Sequence, residues 1–495
     1  MQKKQTILVV ASLLVVVLSV TLAYFTAQII GKGKDVSVTS TTLQIVFTDS
    51  DGAISGSNIE PGWSDTKTFT VENNSKSEYK YNIVIKDLLN TFVTEGYLQY
   101  KITSTNDGYN MTEFKDIPKS ETATDTILAY SVSIPVGVTQ SYTIEFKYSN
   151  DESVDQSDDM GKKLSGTLFI TEGTEDPNKT LYNQLLADKS TVLTRTDFSS
   201  VLSTDNTNTL YTSTEDSKTV YYFAGNATDN WVKFGKNASN QDLHWRIIRT
   251  NSDGGVRLLY HGTSTTATDA YIGTSAFNSS YDNIAYVSYM YGSLGSISSA
   301  RENTNNSTIK TTIDNWYISN LEAKGYTKYL STTAVYCNDR SISSDSINFG
   351  AFTRLGTNKT PSYDCAATED KFTVDTSTGN GKLTYPIALM TADEVSFAGG
   401  LYGANTPTWY YYNSVNGSST GSKFWWLLSP LDSSTSGSSM FIVRGSSNPG
   451  RLNYNYVYSN NGVRPALSLK SCVKYSSGDG SANEPYTIKE TETGC

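Results

Sequence analysis

Residues 69–86 read FTVENNSKSEYKYNIVIK, a strand, a turn and a second strand. Phe69-Thr70-Val71 alternates apolar and polar side chains, Asn73-Asn74-Ser75 is turn material, and Tyr79 to Lys86 alternates again. A period of two sends successive side chains to opposite faces, so one face of each strand is buried and the other wetted. The same pattern runs outward in both directions. Upstream, Val36, Val38, Leu43, Ile45 and Phe47 are spaced for strands, interrupted at Asp49-Ser50-Asp51-Gly52 and at Ile59-Glu60-Pro61-Gly62-Trp63. Downstream come Tyr97 to Thr103, Ile127 to Ile134, Tyr142 to Tyr148 and Leu164 to Thr171. Short strands at this spacing predict a β-sandwich over residues 35–173.

Ahead of the strands lies Ile7 to Ile30, an uncharged apolar run behind Lys3 and Lys4. As a helix it would reach roughly 36 Å, enough for a hydrocarbon core of about 30 Å. A run apolar on every face at the extreme N-terminus does not suit a soluble core, and export of the rest of the chain is the expectation. Two fates stay open. Thr21-Leu22-Ala23 or Phe25-Thr26-Ala27 offers small residues for a signal-peptide cut. The run also continues past both, as a retained anchor would, although Lys32 and Lys34 on its far side weaken the charge asymmetry that would orient it. The product is therefore expected outside the cytoplasm, secreted or anchored at the cell surface through residues 7–30.

At 495 residues the chain is too long for one core. The net charge is −10 and no basic cluster follows Lys34, so nucleic acid is excluded as a partner. Tyrosine is abundant at 34 residues, and Ser, Thr, Asn and Gly crowd the second half, which favours strands and polar loops over helical bundles. The four cysteines, Cys337, Cys365, Cys472 and Cys495, make disulfides the expectation in an exported chain. Of the three pairings, Cys337–Cys365 and Cys472–Cys495 close the shortest loops. Each would stabilise by roughly 3 kcal/mol in the loop-entropy picture.

Ala23-Tyr24-Phe25-Thr26, Ile59-Glu60-Pro61-Gly62-Trp63 before Phe69-Thr70-Val71-Glu72-Asn73, Ile134-Pro135-Val136-Gly137-Val138-Thr139 before Tyr142, and Gly166-Thr167-Leu168-Phe169-Ile170 resemble the TasA/camelysin family. The likeness covers about 140 residues. It implies an exported, jelly-roll-like sandwich of a Gram-positive bacterium, of the kind that in some members builds biofilm-matrix fibres. Some members are described as metallopeptidases. The region contains no histidine and the chain no HExxH, so a zinc site is not implied.

Residues 174–218 read as a polar linker containing Pro177 and a short helix, Lys179 to Asp188, with Leu181, Leu185 and Leu186 at helical spacing and Asn178 as cap. An α+β domain is expected over 219–488, with 489–495 as a tail. Val220 to Gly225 reads as a strand. Leu243 to Arg249 and Val256 to Tyr260 read as a hairpin across Thr250 to Gly255. Ile309, Ile313, Trp316, Tyr317 and Leu321 mark a helix capped by Ser307 and stopped by Gly325. Thr391-Ala392-Asp393-Glu394 is a capping box opening another that ends at Gly399-Gly400. The fold class predicted for the whole is mainly β with an α+β C-terminal domain.

Phe424-Trp425-Trp426-Leu427-Leu428-Ser429-Pro430, Phe441 to Ser447, and Asn461-Gly462-Val463-Arg464-Pro465-Ala466-Leu467 resemble the C-type-lectin-like fold of the formylglycine-generating-enzyme superfamily. They are also similar to bacterial surface domains ending in the same Val-Arg-Pro phrase. The enzyme branch oxidises a sulfatase cysteine with cysteines of its own. No cysteine lies between Cys365 and Cys472, so the resemblance implies the fold and not that oxidation. In variable members of the superfamily, ligand-binding residues occupy the place of Arg444 to Asn461. This stretch is dense in Asn, Tyr, Ser and Arg, side chains that give flat contact area and adaptable hydrogen bonds. Arg444, Arg451, Asn453, Tyr454, Asn455, Tyr456 and Tyr458 are the candidate ligand-binding residues. The alternation of Tyr454, Tyr456 and Tyr458 equally suits an ordinary strand.

The sequence offers little for catalysis. His244 and His261 are the only histidines, and a structural role suits both better than acid–base work. No GxSxG, P-loop or GxGxxG is present. The carboxylates Asp393 and Glu394 suit capping and the helix dipole. No cofactor is expected; loop Asp and Asn residues could bind calcium, but no EF-hand spacing supports it. The function expected is a non-enzymatic binding or adhesion module, taking an extracellular glycan or protein and carried by a matrix-type sandwich. A self-assembling fibre subunit and an extracytoplasmic hydrolase are the alternatives.

Overall fold

The two strands of residues 69–86 belong to opposite sheets, and their apolar sides meet. The computed structural model describes residues 59–267, 270–342, 348–407, 409–410, 424–434, 437–445 and 448–495, together with the backbone of three strands before them. The chain divides at Pro177 into two compact units, Met1–Pro177 and Asn178–Cys495. The fold is mainly β. The apolar run 7–30 lies outside the described residues. Among the described residues no helix is long and apolar enough to cross a membrane.

The first unit contains β1 (Val36–Ser40), β2 (Leu43–Asp49), β3 (Ala53–Ser55), β4 (Ser64–Asn73), β5 (Tyr79–Asn90), β6 (Leu98–Ser104), β7 (Ser120–Ile134), β8 (Thr139–Tyr148) and β9 (Leu164–Glu172). One sheet runs β1-β2-β4-β8-β6 with Lys115–Asp116 on its edge, and the other runs β3-β9-β5-β7. Phe69 and Val71 of β4, Ile144 and Phe146 of β8, Ile83 and Ile85 of β5 and Leu168 and Ile170 of β9 share one core. Buried asparagines tie the loops to it. The Asn73 amide donates to the carbonyls of Ser77 and Ile134, both at 2.9 Å. The Asn82 Oδ1 accepts the N–H groups of Ser131 and Thr174 at 2.9 and 3.0 Å. A buried amide met on several sides is stable where an unmet one would be costly.

The second unit opens with α1 (Leu181–Asp188), followed by β10 (Thr191–Thr194), β11 (Thr209–Glu215), β12 (Lys218–Tyr222), β13 (Trp231–Lys236), β14 (Asp242–Thr250) and β15 (Val256–Gly262). Then come α2 (Thr308–Tyr317), β16 (Ile387–Leu389), α3 (Ala392–Phe397), β17 (Trp425–Ser434), β18 (Gly437–Val443), β19 (Leu452–Tyr456), β20 (Asn461–Gly462), β21 (Pro465–Leu469), β22 (Tyr475–Ser477) and β23 (Tyr486–Ile488). The larger sheet runs β10-β11-β12-β14-β13-β23-β22, with β15 joining β14 to β21 and β21 joining β16. The smaller runs Thr274–Ser275, β20, β17, β18, β19. Trp245, Trp425 and Trp426 are fully buried in the core of this unit.

The hairpin expected across Thr250 to Gly255 is β14 and β15. The stretch expected to be a linker is structured: β10 pairs in parallel with β11, and both belong to the larger sheet. The helix there is capped by Thr180, not Asn178; the Thr180 side chain accepts the Asn183 N–H. Ser307 caps α2 as expected, while the regular helix stops at Tyr317 and continues as a wider turn to Glu322.

The capping box is formed, and its glutamate does more than cap. Glu394 Oε2 accepts the Thr391 N–H at 2.9 Å, and Oε1 meets Arg249 at 3.0 Å and Arg257 at 2.7 Å. Arg249 also meets Glu215 at 2.7 Å. Burial pushes the Glu394 carboxyl up, but Arg257 and Arg249 outweigh it and hold it below the usual range. Asp393 takes Arg354, which also grips Asp339. Cys337 is bonded to Cys365 and Cys472 to Cys495, the state an oxidising compartment preserves.

Candidate functional site

Tyrosine is mostly an interior residue in this protein. Among the described residues only Tyr281, Tyr454, Tyr456 and Tyr458 are exposed, at 43%, 39%, 38% and 49%. Tyr454 and Tyr456 lie on β19, the end strand of the smaller sheet, and Tyr458 in the turn after it. Tyr281 joins them from a distant loop. Its ring lies 4.7 Å from Tyr458 and 6.4 Å from Tyr456, and Tyr456 lies 5.9 Å from Tyr458, all between centroids.

The backbone explains the convergence. Phe277 and Asn278 N–H both donate to the Val457 carbonyl, at 2.8 and 3.0 Å, and Ser438 N–H donates to the Tyr281 carbonyl at 2.9 Å. Val457, fully buried between the outward Tyr456 and Tyr458, anchors the turn. Gly437 makes room beneath. A Cβ built there would sit 2.9 Å from Tyr456 Cε1 and 3.2 Å from Tyr281 Cδ2, and its φ of +151° disfavours any other residue.

The candidate residues fall into two groups. Tyr454, Tyr456 and Tyr458 share the exposed face. The other four are engaged within the protein. Asn453 Oδ1 accepts the Tyr454 N–H at 2.8 Å and Asn455 Oδ1 the Tyr456 N–H at 3.0 Å. These N–H groups therefore do not donate to β18, and the asparagines blunt the strand edge. Asn455 also receives the Ser459 hydroxyl. Arg451 donates to Asn405 at 2.9 Å, and the Arg444 guanidinium lies 5.1 Å from the Phe424 ring. Arg464, from the closing Val-Arg-Pro phrase, donates to the Tyr260 carbonyl. Tyr281 and Gly437 were missed by sequence reasoning, since nothing local marks either.

The histidines lie elsewhere. His261 is wholly buried, edge-on to Trp231 at 4.4 Å, with no hydrogen-bond partner on either ring nitrogen. Burial, with the positive charges of Arg464 and Arg246, holds its pKa well below the ordinary value. His244 is half-buried, and burial lowers its pKa against the pull of Asp242. Among the described residues no group of three or more His, Cys, Asp or Glu side chains is arranged to hold a metal. No family model, curated protein or solved structure matches this chain.

Proposed function

We propose that this chain is an exported cell-surface binding protein, in which a TasA-like, jelly-roll-like sandwich carries a lectin-like second unit that contacts an extracellular glycan or protein. The observation that carries the reading is the gathering of every exposed tyrosine among the described residues into one patch. Tyr281, Tyr456 and Tyr458 meet ring to ring, with Tyr454 two residues before Tyr456 on β19; exposed rings of this kind provide broad, rigid area at little conformational cost, and Tyr is enriched at binding hot spots. The blunted edge of β19 favours side-chain recognition over strand addition. The apolar run 7–30 and the two disulfides support export.

The test is a glycan and peptide array probed with the purified chain, wild type against Tyr454→Ala, Tyr456→Ala and Tyr458→Ala. Wild type is expected to give defined hits, each substitution weakening them by about 2 kcal/mol. An array without hits, or hits unchanged in all three variants, contradicts the reading.

A further inference from the structure

We propose that Tyr281 and Tyr458 form an oxidative cross-linking site, joined by a carbon–carbon bond between ring positions ortho to their hydroxyls. Their centroids are 4.7 Å apart with the planes tilted by 46°, so the two rings are in contact. Both residues are exposed, at 43% and 49%. Both are also held in place: the Tyr281 carbonyl is tied to Ser438, and Val457, beside Tyr458, receives Phe277 and Asn278. Proximity, access and a fixed frame are what radical coupling of two phenols requires.

The oxidant is hydrogen peroxide acting through a haem peroxidase, supplied from outside the chain. Each phenol loses one electron and one proton, leaving a phenoxyl radical with spin on its ortho carbons. The two radicals couple to form the new bond. The hydrogen on each coupled carbon then moves to the ring oxygen and restores the phenol. Two electrons and two protons leave the protein in all, and peroxide takes them up to become two waters.

Other tyrosine pairs lack one of the requirements. Tyr317 and Tyr385 are nearly as close at 4.9 Å, but Tyr317 is wholly buried. Tyr81 and Tyr142 touch through their hydroxyls at 2.6 Å, and both are buried. Tyr456 and Tyr458 are exposed, but 5.9 Å apart and nearly parallel at 14°. The bond would fasten the loop bearing Tyr281 to the turn after β19 and fix the patch in one arrangement.

The test treats the full chain with hydrogen peroxide and a haem peroxidase, then reads intact mass, dityrosine fluorescence and a peptide map. The expected product is a monomer lighter by two hydrogen atoms, with one linked peptide pair containing Tyr281 and Tyr458. Tyr281→Phe keeps the ring and removes the hydroxyl, so it should fold and lose the product. Tyr385→Phe should leave the yield unchanged. No monomeric product, a linkage that maps elsewhere, dimers alone, or a product that survives in Tyr281→Phe would each overturn the proposal.

Discussion

Gly437 shows how one residue without a side chain shapes a surface. Its backbone, at φ +151°, lies under the rings of Tyr456 and Tyr281. Gly437→Ala should destabilise the second unit by more than about 1 kcal/mol, because the added methyl strains the backbone and displaces rings. Urea denaturation measures the loss, and tyrosine fluorescence anisotropy should fall as the patch loosens. At the same scale His261 sets a pH dependence. Unfolded, it protonates near pH 6.5; folded, burial and the charges of Arg464, Arg246 and His244 keep it neutral to much lower pH. Its contribution is therefore complete above about pH 6.5 and is lost as the pH falls below that, by up to about 1.4 kcal/mol per unit. His261→Leu should flatten the stability profile between pH 6.5 and 5 relative to wild type. Equal slopes in the two proteins would show that His261 does not titrate as described.

At the scale of elements, the capping box was legible in the sequence because its partners lie three residues apart. The ion pairs of Glu394 were not, since Arg249 and Arg257 arrive from β14 and β15. Glu394→Gln should cost about 3–5 kcal/mol by leaving two buried guanidinium groups undercompensated. Thr391→Ala, which removes only the cap, should cost about 1 kcal/mol. Chemical denaturation separates the two. The same contrast explains the linker. Thr191–Thr194 is too short to show a period, and its parallel pairing with Thr209–Glu215 is set by the sheet. The hairpin of β14 and β15 and the strands at 69–86 were legible because alternation and turn chemistry are local, but the wetted face expected of Tyr79 to Lys86 is absent, since Asn82 and Val84 are buried along with Tyr81, Ile83 and Ile85. Tyr454, Tyr456 and Tyr458 stood out as a run, while Tyr281 reaches them only through Val457 and Ser438. On the edge of β19, replacing Asn453 and Asn455 together by Ala frees two N–H groups. Light scattering should then report concentration-dependent association that wild type lacks.

At the scale of the molecule, all four cysteines lie in the second unit, Asn178–Cys495. Reduction should therefore lower the unfolding transition of that unit, by about 3 kcal/mol per bond, and leave that of Met1–Pro177 in place. Calorimetry with and without reductant reads this directly; a shift of both transitions together would show that the units do not unfold independently. The tyrosine patch is proposed as the surface that meets a ligand. Tyrosine-selective iodination with a ligand taken from the array tests it most directly. Ligand should slow modification of Tyr281, Tyr454, Tyr456 and Tyr458 together. Unchanged reactivity at all four, with protection elsewhere on the chain, would contradict the claim.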